Sequence, residues 1–383
     1  MIRRRVERIA AAALLCGFVA ILAWGMPAGA SAKDPDRYVV HEWGTFSTFT
    51  GSDGKQLKFH PNDRDLPDFV HSRHHYIKGG LEAALVSLET PVLYFYTDRD
   101  RTVSVQVDFP KGLMTDWYPE ASRPPEQRLR WDDLKVLATD RPKLKGEGEG
   151  DAGRYFAARE TDAATVRASA PDRREDEKFL FYRGVGDFGL PFVVRARGDG
   201  KFTVQNTGKH VVPGYVLVSV RDHKVTFKAF GQLSAGAEER IELPAEASTA
   251  ERLGDSVAKL LVEQGLYEKE ARAMVKTWRA DWFGEDGTRV LYLLAEPVTE
   301  EFLPLKIDPK PDRLVRVLVG RNDVLTPERE RQIDAQVKRL NGDSNAESKA
   351  ADAVLNQMGR YRWAAQKAAE GRLKANEGVR VGR

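Results

Sequence analysis

The stretch YVVHEWGTFSTF, residues 38–49, decides how the chain is read: it is apolar enough for an interior strand, yet carries His41 and Glu42 in its middle. Strand side chains alternate, so His41, Trp43 and Thr45 share one face while Val40, Glu42, Gly44 and Phe46 share the other. His41 and Glu42 therefore point apart and form no dyad. With Val40 and Phe46 marking the core face, Glu42 points inward, where an ionised carboxylate needs a cationic or hydrogen-bonding partner. Arg159 in YFAARETDAA and Arg183 in FLFYRG, both beside aromatic residues, are the partners the sequence offers. Buried carboxylates also mark functional sites, so Glu42, Arg159, Glu160, Asp162 and Arg183 are the candidate catalytic residues, provided that they converge in an open cleft.

Upstream, Arg3, Arg4, Arg5 and Arg8 precede an apolar run from Ile9 to Trp24 and then Ala30-Ser31-Ala32. This is the pattern of a secretory signal peptide, residues 1–32, cleaved after Ala32 and directing the chain to the periplasm or outside the cell. Leu15 before Cys16 argues against lipid attachment. Cys16 is the sole cysteine, so the exported chain is expected to be cysteine-free and held by burial alone. Residues 1–32 hold four Arg and one Glu; removing that +3 from the +3 of the whole chain leaves a mature protein near neutrality. Such a balance excludes the net basic footprint of a nucleic-acid binder. No later segment is apolar for long enough to span a membrane.

Downstream to about residue 245, strand patterns dominate. TVSVQVDF (102–109) alternates Val103, Val105, Val107 and Phe109 with polar residues, and PVLYFYTDRDR before it supplies a partner and a turn, which predicts a β-hairpin over 91–109. RLRWDDLKVLA, EKFLFYRG, PFVVRARG, KFTVQNTG, GYVLVSVRD and KVTFKAFGQL follow, separated by Gly, Pro and Asp turns at short intervals, as in an antiparallel β-sandwich. The expected organisation is a β-rich region at 33–139, a loop or linker at 140–153 (DRPKLKGEGEGDAG), and a β-sandwich at 154–245. Within the last, residues 191–243 resemble the Ig-like modules of bacterial surface proteins through Asn206-Thr207-Gly208 and Gly231-Gln232-Leu233-Ser234-Ala235-Gly236. The resemblance implies a spacer or binding platform.

After residue 245 the period becomes helical. Ser248 with Glu251 reads as a capping box, Leu253, Val257, Leu260 and Leu261 fall on one face, and Gly265 marks the stop. Ala271, Met274, Val275, Trp278 and Trp282 form a second stripe, so 248–283 is expected to be an αα-hairpin with those aromatics in the core. RVLYLL and LVRVLVG read as strands, and Thr326-Pro327-Glu328 opens a helix at Pro327. Residues 360–383 hold seven Arg or Lys against two Glu and read as a solvated, frayed tail. The fold class is thus α+β, with a mainly antiparallel β-sandwich followed by a helical hairpin and a mixed α/β region at 246–383.

Motifs for chemistry are few. Gly184-Val185-Gly186-Asp187-Phe188-Gly189 spells G-x-G-x-x-G, but Leu190-Pro191 leads into another strand, so the helix that would receive a pyrophosphate is missing and no nucleotide cofactor is expected. No P-loop, H-E-x-x-H or G-x-S-x-G is present. The acid pairs Asp98/Asp100, Asp132/Asp133 and Glu285/Asp286 sit in turn-like sequence, and Trp43, Trp117 and Trp131 are the aromatics that a glycan-binding surface would use if exposed. HPNDRDLPDFVHSRHH (60–75) concentrates imidazoles and carboxylates. If 68–75 forms a helical turn, Asp68, His71 and His75, with His74 adjacent, could hold a divalent ion such as zinc and activate water.

The motifs HEWGTF, ETPVLYFY and FLFYRGVG resemble those of a group of uncharacterised exported bacterial proteins that open with HEWGTF. The resemblance spans most of the mature chain and implies export and a shared fold; it assigns no catalytic residue. The sequence therefore predicts an exported envelope protein with a binding or structural role toward an envelope component or glycan. The alternative is a metal-dependent or glycan-directed envelope hydrolase.

Overall fold

The computed structural model describes residues 37–62, 65–73, 82–122, 125–147, 154–170 and 173–381. Strands β1 (Tyr38–Thr50), β2 (His71–Ser72), β3 (Val86–Thr97), β4 (Arg101–Asp108), β5 (Gly112–Tyr118) and β6 (Arg128–Leu137) precede a short helix, α1 (Arg154–Ala157). Next come β7 (Thr165–Ala170), β8 (Arg173–Glu177), β9 (Leu180–Gly186), β10 (Phe192–Gly198), β11 (Lys201–Asn206), β12 (Tyr215–Arg221), β13 (Lys224–Phe230) and β14 (Glu238–Glu242). The helices α2 (Ala250–Glu263) and α3 (Glu268–Arg279) lead through a π-helical turn, Ala280–Gly284, into β15 (Gly287–Leu293), α4 (Glu296–Phe302), β16 (Leu305–Asp308) and β17 (Arg313–Val324). Helices α5 (Pro327–Leu340), α6 (Asn345–Asn356) and α7 (Arg362–Val381) complete the chain.

The fold is α+β. One nine-stranded sheet, in the order β13-β12-β15-β17-β1-β3-β9-β5-β2, forms its middle layer. A three-stranded sheet (β10-β11-β14) and a five-stranded sheet (β16-β4-β6-β7-β8) pack on one side of it. Val40, Phe46, Leu93 and Phe95 of the large sheet share that core with Val105 and Trp131 of the five-stranded sheet and Val194 and Phe202 of the three-stranded one. On the opposite side, Trp43, Tyr94, Val317 and Leu291 pack against Leu253, Val257, Met274 and Trp278 of α2 and α3. A third, smaller core joins Phe49, Phe59 and Leu325 to Ile333 and Val337 of α5 and to Ala364, Ala365 and Ala369 of α7.

The opening strand β1 is buried along its whole length because it has neighbours on both edges and a layer on both faces. It pairs antiparallel with β3 and in parallel with β17, which lies more than 260 residues further along. The change of pattern near residue 245 is thus one of composition and not of packing: β15 and β17 are central strands of the sheet that β1 begins, and residues 35–383 form one compact unit.

The strands expected over 91–109 form, but not as a hairpin. Both edges of β3 are taken by β1 and β9, so the chain turns at Asp98–Asp100 and enters the other layer, where β4 pairs with β6 and β16. The cap of α2 is Thr249, one residue beyond Ser248, whose hydroxyl oxygen accepts from Arg252 N. Thr326 caps α5 as expected, accepting from Arg329 N. Residues 362–376 form no frayed tail: α7 buries its alanine face, and Arg372 binds Asp334 of α5 at 2.7 Å, while residues 382–383 lie outside the described residues.

Two glycines are required by close approach. A Cβ on Gly44 would lie 2.9 Å from Cα of Pro91, beside Thr90, which takes a φ of 49° where β3 bulges against β1. A Cβ on Gly320 would meet the ring of Tyr292 at 2.1 Å. Gly320→Ala is therefore expected to lower the urea midpoint of unfolding with an unchanged m-value, at a cost of about 1–3 kcal/mol; a midpoint like that of the unmodified protein would contradict this packing.

Candidate functional site

Glu42 lies in the core on the Val40 and Phe46 face, and its partner is neither Arg159 nor Arg183 but Arg316. Arg316 stands opposite Glu42 in the parallel register of β17 and donates from Nε to Oε2 at 2.6 Å, while Tyr182 of β9 donates its hydroxyl to Oε1. Burial, reinforced by Glu42, holds the Tyr182 phenol far above its ordinary pKa. The other candidates disperse. Arg159 binds Glu177 from Nη2 at 2.7 Å, Glu160 pairs with Lys276, Asp162 pairs with Lys269 at 2.7 Å on the surface, and Arg183 forms a fork to Asp65 at 2.7 and 2.8 Å. The five do not form one cleft.

A different cluster does form, on the helix-facing side of the large sheet beyond its apolar patch. Strand register builds its floor: Arg321 of β17 stands opposite Ser47 of β1, Thr45 opposite Glu89 of β3, and Arg289 of β15 opposite Asp323 of β17. Arg321 donates to Asp323 Oδ2 at 2.5 Å and to Glu285 Oε2 at 2.6 Å, and Arg289 Nε donates to Asp323 Oδ1 at 3.0 Å. Two side chains just before α7 close over this floor. Arg360 binds Glu89, which also accepts from Ser47 Oγ at 2.9 Å, and the Tyr361 hydroxyl donates to Asp323 at 2.9 Å. Arg289 Nη1 also donates to the carbonyl oxygens of Asp281 and Trp282, both at 2.7 Å, and Nη2 to that of Glu285. The guanidinium thereby holds the π-helical turn in place, a feature that recurs at functional sites.

Asp281, carried by that turn, differs from the other acids. It is 1% exposed, and neither carboxylate oxygen accepts a hydrogen bond. Arg154 Nη2 approaches Oδ1 to 2.8 Å, off the line of a hydrogen bond, and Arg321 Nη1, itself buried without an acceptor, lies 3.9 Å away. Burial is the largest influence on its carboxyl and outweighs the two guanidiniums, so its pKa is pushed up from 3.8 to about 6. For Asp323, burial also raises the pKa, but Arg321, Arg289 and Arg360 prevail and hold it down at about 2. Asp65 reaches about 2 likewise, its desolvation outweighed by Arg183 and Arg154. Glu89 is lowered despite burial by Arg360, Arg321 and Arg183.

No protein-family model matches the chain, and no curated protein matches it in sequence. Among solved structures it is similar to the yeast delta-COP-I mu-homology domain, alone and complexed with the Dsl1 WxWxV peptide, at 7% identity over 77% of this chain and 98% of that one. The TM-score of 0.28 in both cases is too low to carry an argument.

The helical turn expected at 68–75 is replaced by a turn at Asp68 and Phe69 and by β2, where His71 pairs with Trp117. In an extended strand the spacing of three and four no longer brings ligands together. Asp68 is exposed, the His71 ring is held by Glu175 at 3.0 Å and faces Glu120 at 3.4 Å, and His74 and His75 lie outside the described residues. Among the described residues no group of three or more His, Cys, Asp and Glu side chains is placed to hold a metal ion. Trp43, Trp117 and Trp131 are buried, so they offer no glycan-stacking surface. A groove of about 730 Å³ runs over α2, α3 and Glu160, but its charges are bridged across it: Lys276 to Glu160, Arg279 to Glu251, and Arg272 to Asp255 at 3.4 Å.

The sequence reading missed Arg321, Asp323, Arg289, Glu89 and Asp281. Their signal was a charge inside an otherwise apolar strand or stripe, as in LVRVLVGRND. Two outcomes are expected from the charges. Arg321→Met should cost about 3–5 kcal/mol by leaving Asp323 buried with fewer cations. The pH dependence has opposite signs for the two kinds of acid. The depressed groups Asp65 and Asp323 stabilise above about 3.8, and that contribution is lost as pH falls toward about 2. The raised group Asp281 favours the fold below about 3.8, and this is lost as pH rises through about 6. Asp281→Asn should therefore gain stability relative to the unmodified protein between pH 4 and 8, by about 1–3 kcal/mol; parallel stability curves over that range would refute the assignment.

Proposed function

We propose that the chain is an exported envelope protein with a binding or structural role, periplasmic or secreted, directed at an envelope component or glycan. Export rests on the signal-like segment 1–32 and on the resemblance carried by HEWGTF, ETPVLYFY and FLFYRGVG. No helix among the described residues is long and apolar enough to cross a membrane. The observation that favours binding or support over hydrolysis is the sealing of the acids: Glu42, Glu89 and Asp323 are buried and matched by guanidiniums, whereas chemistry on a substrate needs access. Matched interior charges hold strands, turn and C-terminal helix in one arrangement.

One observation favours the hydrolase reading, in which an acid–base residue works at the cluster. Asp281 accepts no hydrogen bond, and burial pushes its carboxyl up to about 6, the direction that a proton-transfer group requires. Fractionation of expressing cells, with N-terminal sequencing of the recovered protein, tests the primary reading. A chain starting at Lys33 outside the cytoplasm is expected; a cytoplasmic chain retaining Met1 would overturn export. Hydrolysis of envelope polymers by the purified protein, lost in Asp281→Asn, would replace the binding role by the enzymatic one.

A further inference from the structure

We infer that the outer edge of β13 binds an extended, acid-bearing segment of another protein, which adds a strand to the nine-stranded sheet. This names a partner class for the binding role proposed above and rests on that role. The first support is the direction of the main-chain groups. Asp222 and His223, with φ of 50° and 61°, make the two-residue turn of a β-hairpin, so Arg221 and Lys224 close it as a hydrogen-bonded pair. Such pairs alternate along an antiparallel ladder. Thr226, Lys228 and Phe230 therefore bond to β12, while Val225, Phe227 and Ala229 turn their N–H and C=O groups outward. Ser248 N donates to the outward carbonyl oxygen of Val225 at 2.7 Å. Phe227 and Ala229 meet no such neighbour among the described residues, since β13 ends the strand order. The strand at the other end of the sheet, β2, is two residues long and offers no comparable edge.

The second support is the charge along this edge. Residues 221–230 hold Arg221, Lys224 and Lys228 against Asp222 alone. Lys228 is exposed and lies over the Phe230 ring at 5.3 Å, and neither it nor Lys224 pairs with a carboxylate among the described residues. Side chains directly opposite each other on paired strands lie about 4.5–5.5 Å apart, so an acid opposite Lys228 forms a cross-strand charge pair. Apolar, β-branched residues opposite Phe227 and Ala229 continue the pleated surface.

A second copy of the chain fits this edge less well. The antiparallel pairing that overlaps residues 226–230 with themselves sets the two Lys228 side chains against each other, and like charges directly opposite are destabilising. Lysine on an edge discourages pairing with an identical or neutral strand and leaves the edge to an acidic one.

The probe is the capped peptide Glu-Thr-Val-Glu-Val-Thr-Glu, a palindrome that places its central carboxylate opposite Lys228 in either strand direction. Added to the purified mature protein, it is expected to slow amide hydrogen exchange at Phe227 and Ala229 about tenfold or more. Ala229→Pro removes an outward donor without touching the ladder to β12, so it should abolish binding while the thermal unfolding transition stays cooperative. Lys228→Glu, a change at an exposed side chain, should weaken the acidic peptide about tenfold and favour the peptide with Lys in place of each Glu. If Ala229→Pro does not fold, the exchange pattern and Lys228→Glu still decide. No added protection at Phe227 and Ala229, equal affinity of the unmodified protein for the Lys peptide, or undiminished binding by a folded Ala229→Pro would each overturn the inference. A dimer of the unmodified protein that is lost in Ala229→Pro would also overturn it, assigning the edge to a second copy. These readouts are independent of where the chain resides in the cell, so failure here and failure of export are separately visible.

Discussion

A guanidinium with no exposed surface sets the terms for this molecule. Arg321 stands in the middle of a nine-stranded sheet, in a strand whose preceding residues on the same face, Val315, Val317 and Val319, are apolar, and removal of its charge from water must be compensated locally. Asp323, two residues along the same strand, and Glu285, beyond the π-helical turn, do so directly. Each of these acids in turn constrains other elements. Asp323 draws in Arg289 and Tyr361, and Arg289 holds the carbonyl oxygens of the turn. One buried charge thereby ties the sheet to the helical hairpin and to the last helices of the chain.

The same arrangement explains why the apolar layers alone would not determine the fold. The large sheet has an apolar core on both faces, and hydrophobic burial is non-directional. Hydrogen-bonded charges are directional, and a wrong register at β1 and β17 would leave both Arg316 and Arg321 facing the wrong layer. Glu42 with Arg316 on one face, and Ser47 opposite Arg321 on the other, fix that parallel pairing from both sides. The C-terminal helices, whose own core is small and alanine-rich, are held in addition by Arg360 on Glu89. Asp281 is the member whose carboxylate lies beside two guanidiniums, Arg154 and Arg321, without accepting a hydrogen bond from either.

Much of the architecture was legible in the sequence. Alternation in TVSVQVDF, the stripe through Met274, Trp278 and Trp282, the stop at Gly265 and the cap at Thr326 are local signals, and the elements formed where they pointed. Failures arose where a non-local constraint prevailed. β3 and β4 look like a hairpin, but β3 already had two partners. The C-terminal basic residues look solvated, yet an alanine face among them found Val337 and Leu325 to cover it. The histidines of 60–75 suggested a helical turn, but strand pairing with Trp117 offered His71 a different backbone.

By itself, the sequence determined the α+β class, the inward face of Glu42 and its need for a cationic or hydrogen-bonding partner, since period and side-chain chemistry are properties of a single segment. Which cation it would be belonged to the tertiary structure. Arg159, Arg183 and Arg316 are equivalent on paper, and of the segments that carry them β17 alone lies beside β1. The cluster around Arg321 is of the same kind: its members come from strands, a turn, a loop and the last helices, spread from Ser47 to Tyr361. Coulomb interaction depends on distance in space, and chain separation carries no information about that distance until the sheet has closed.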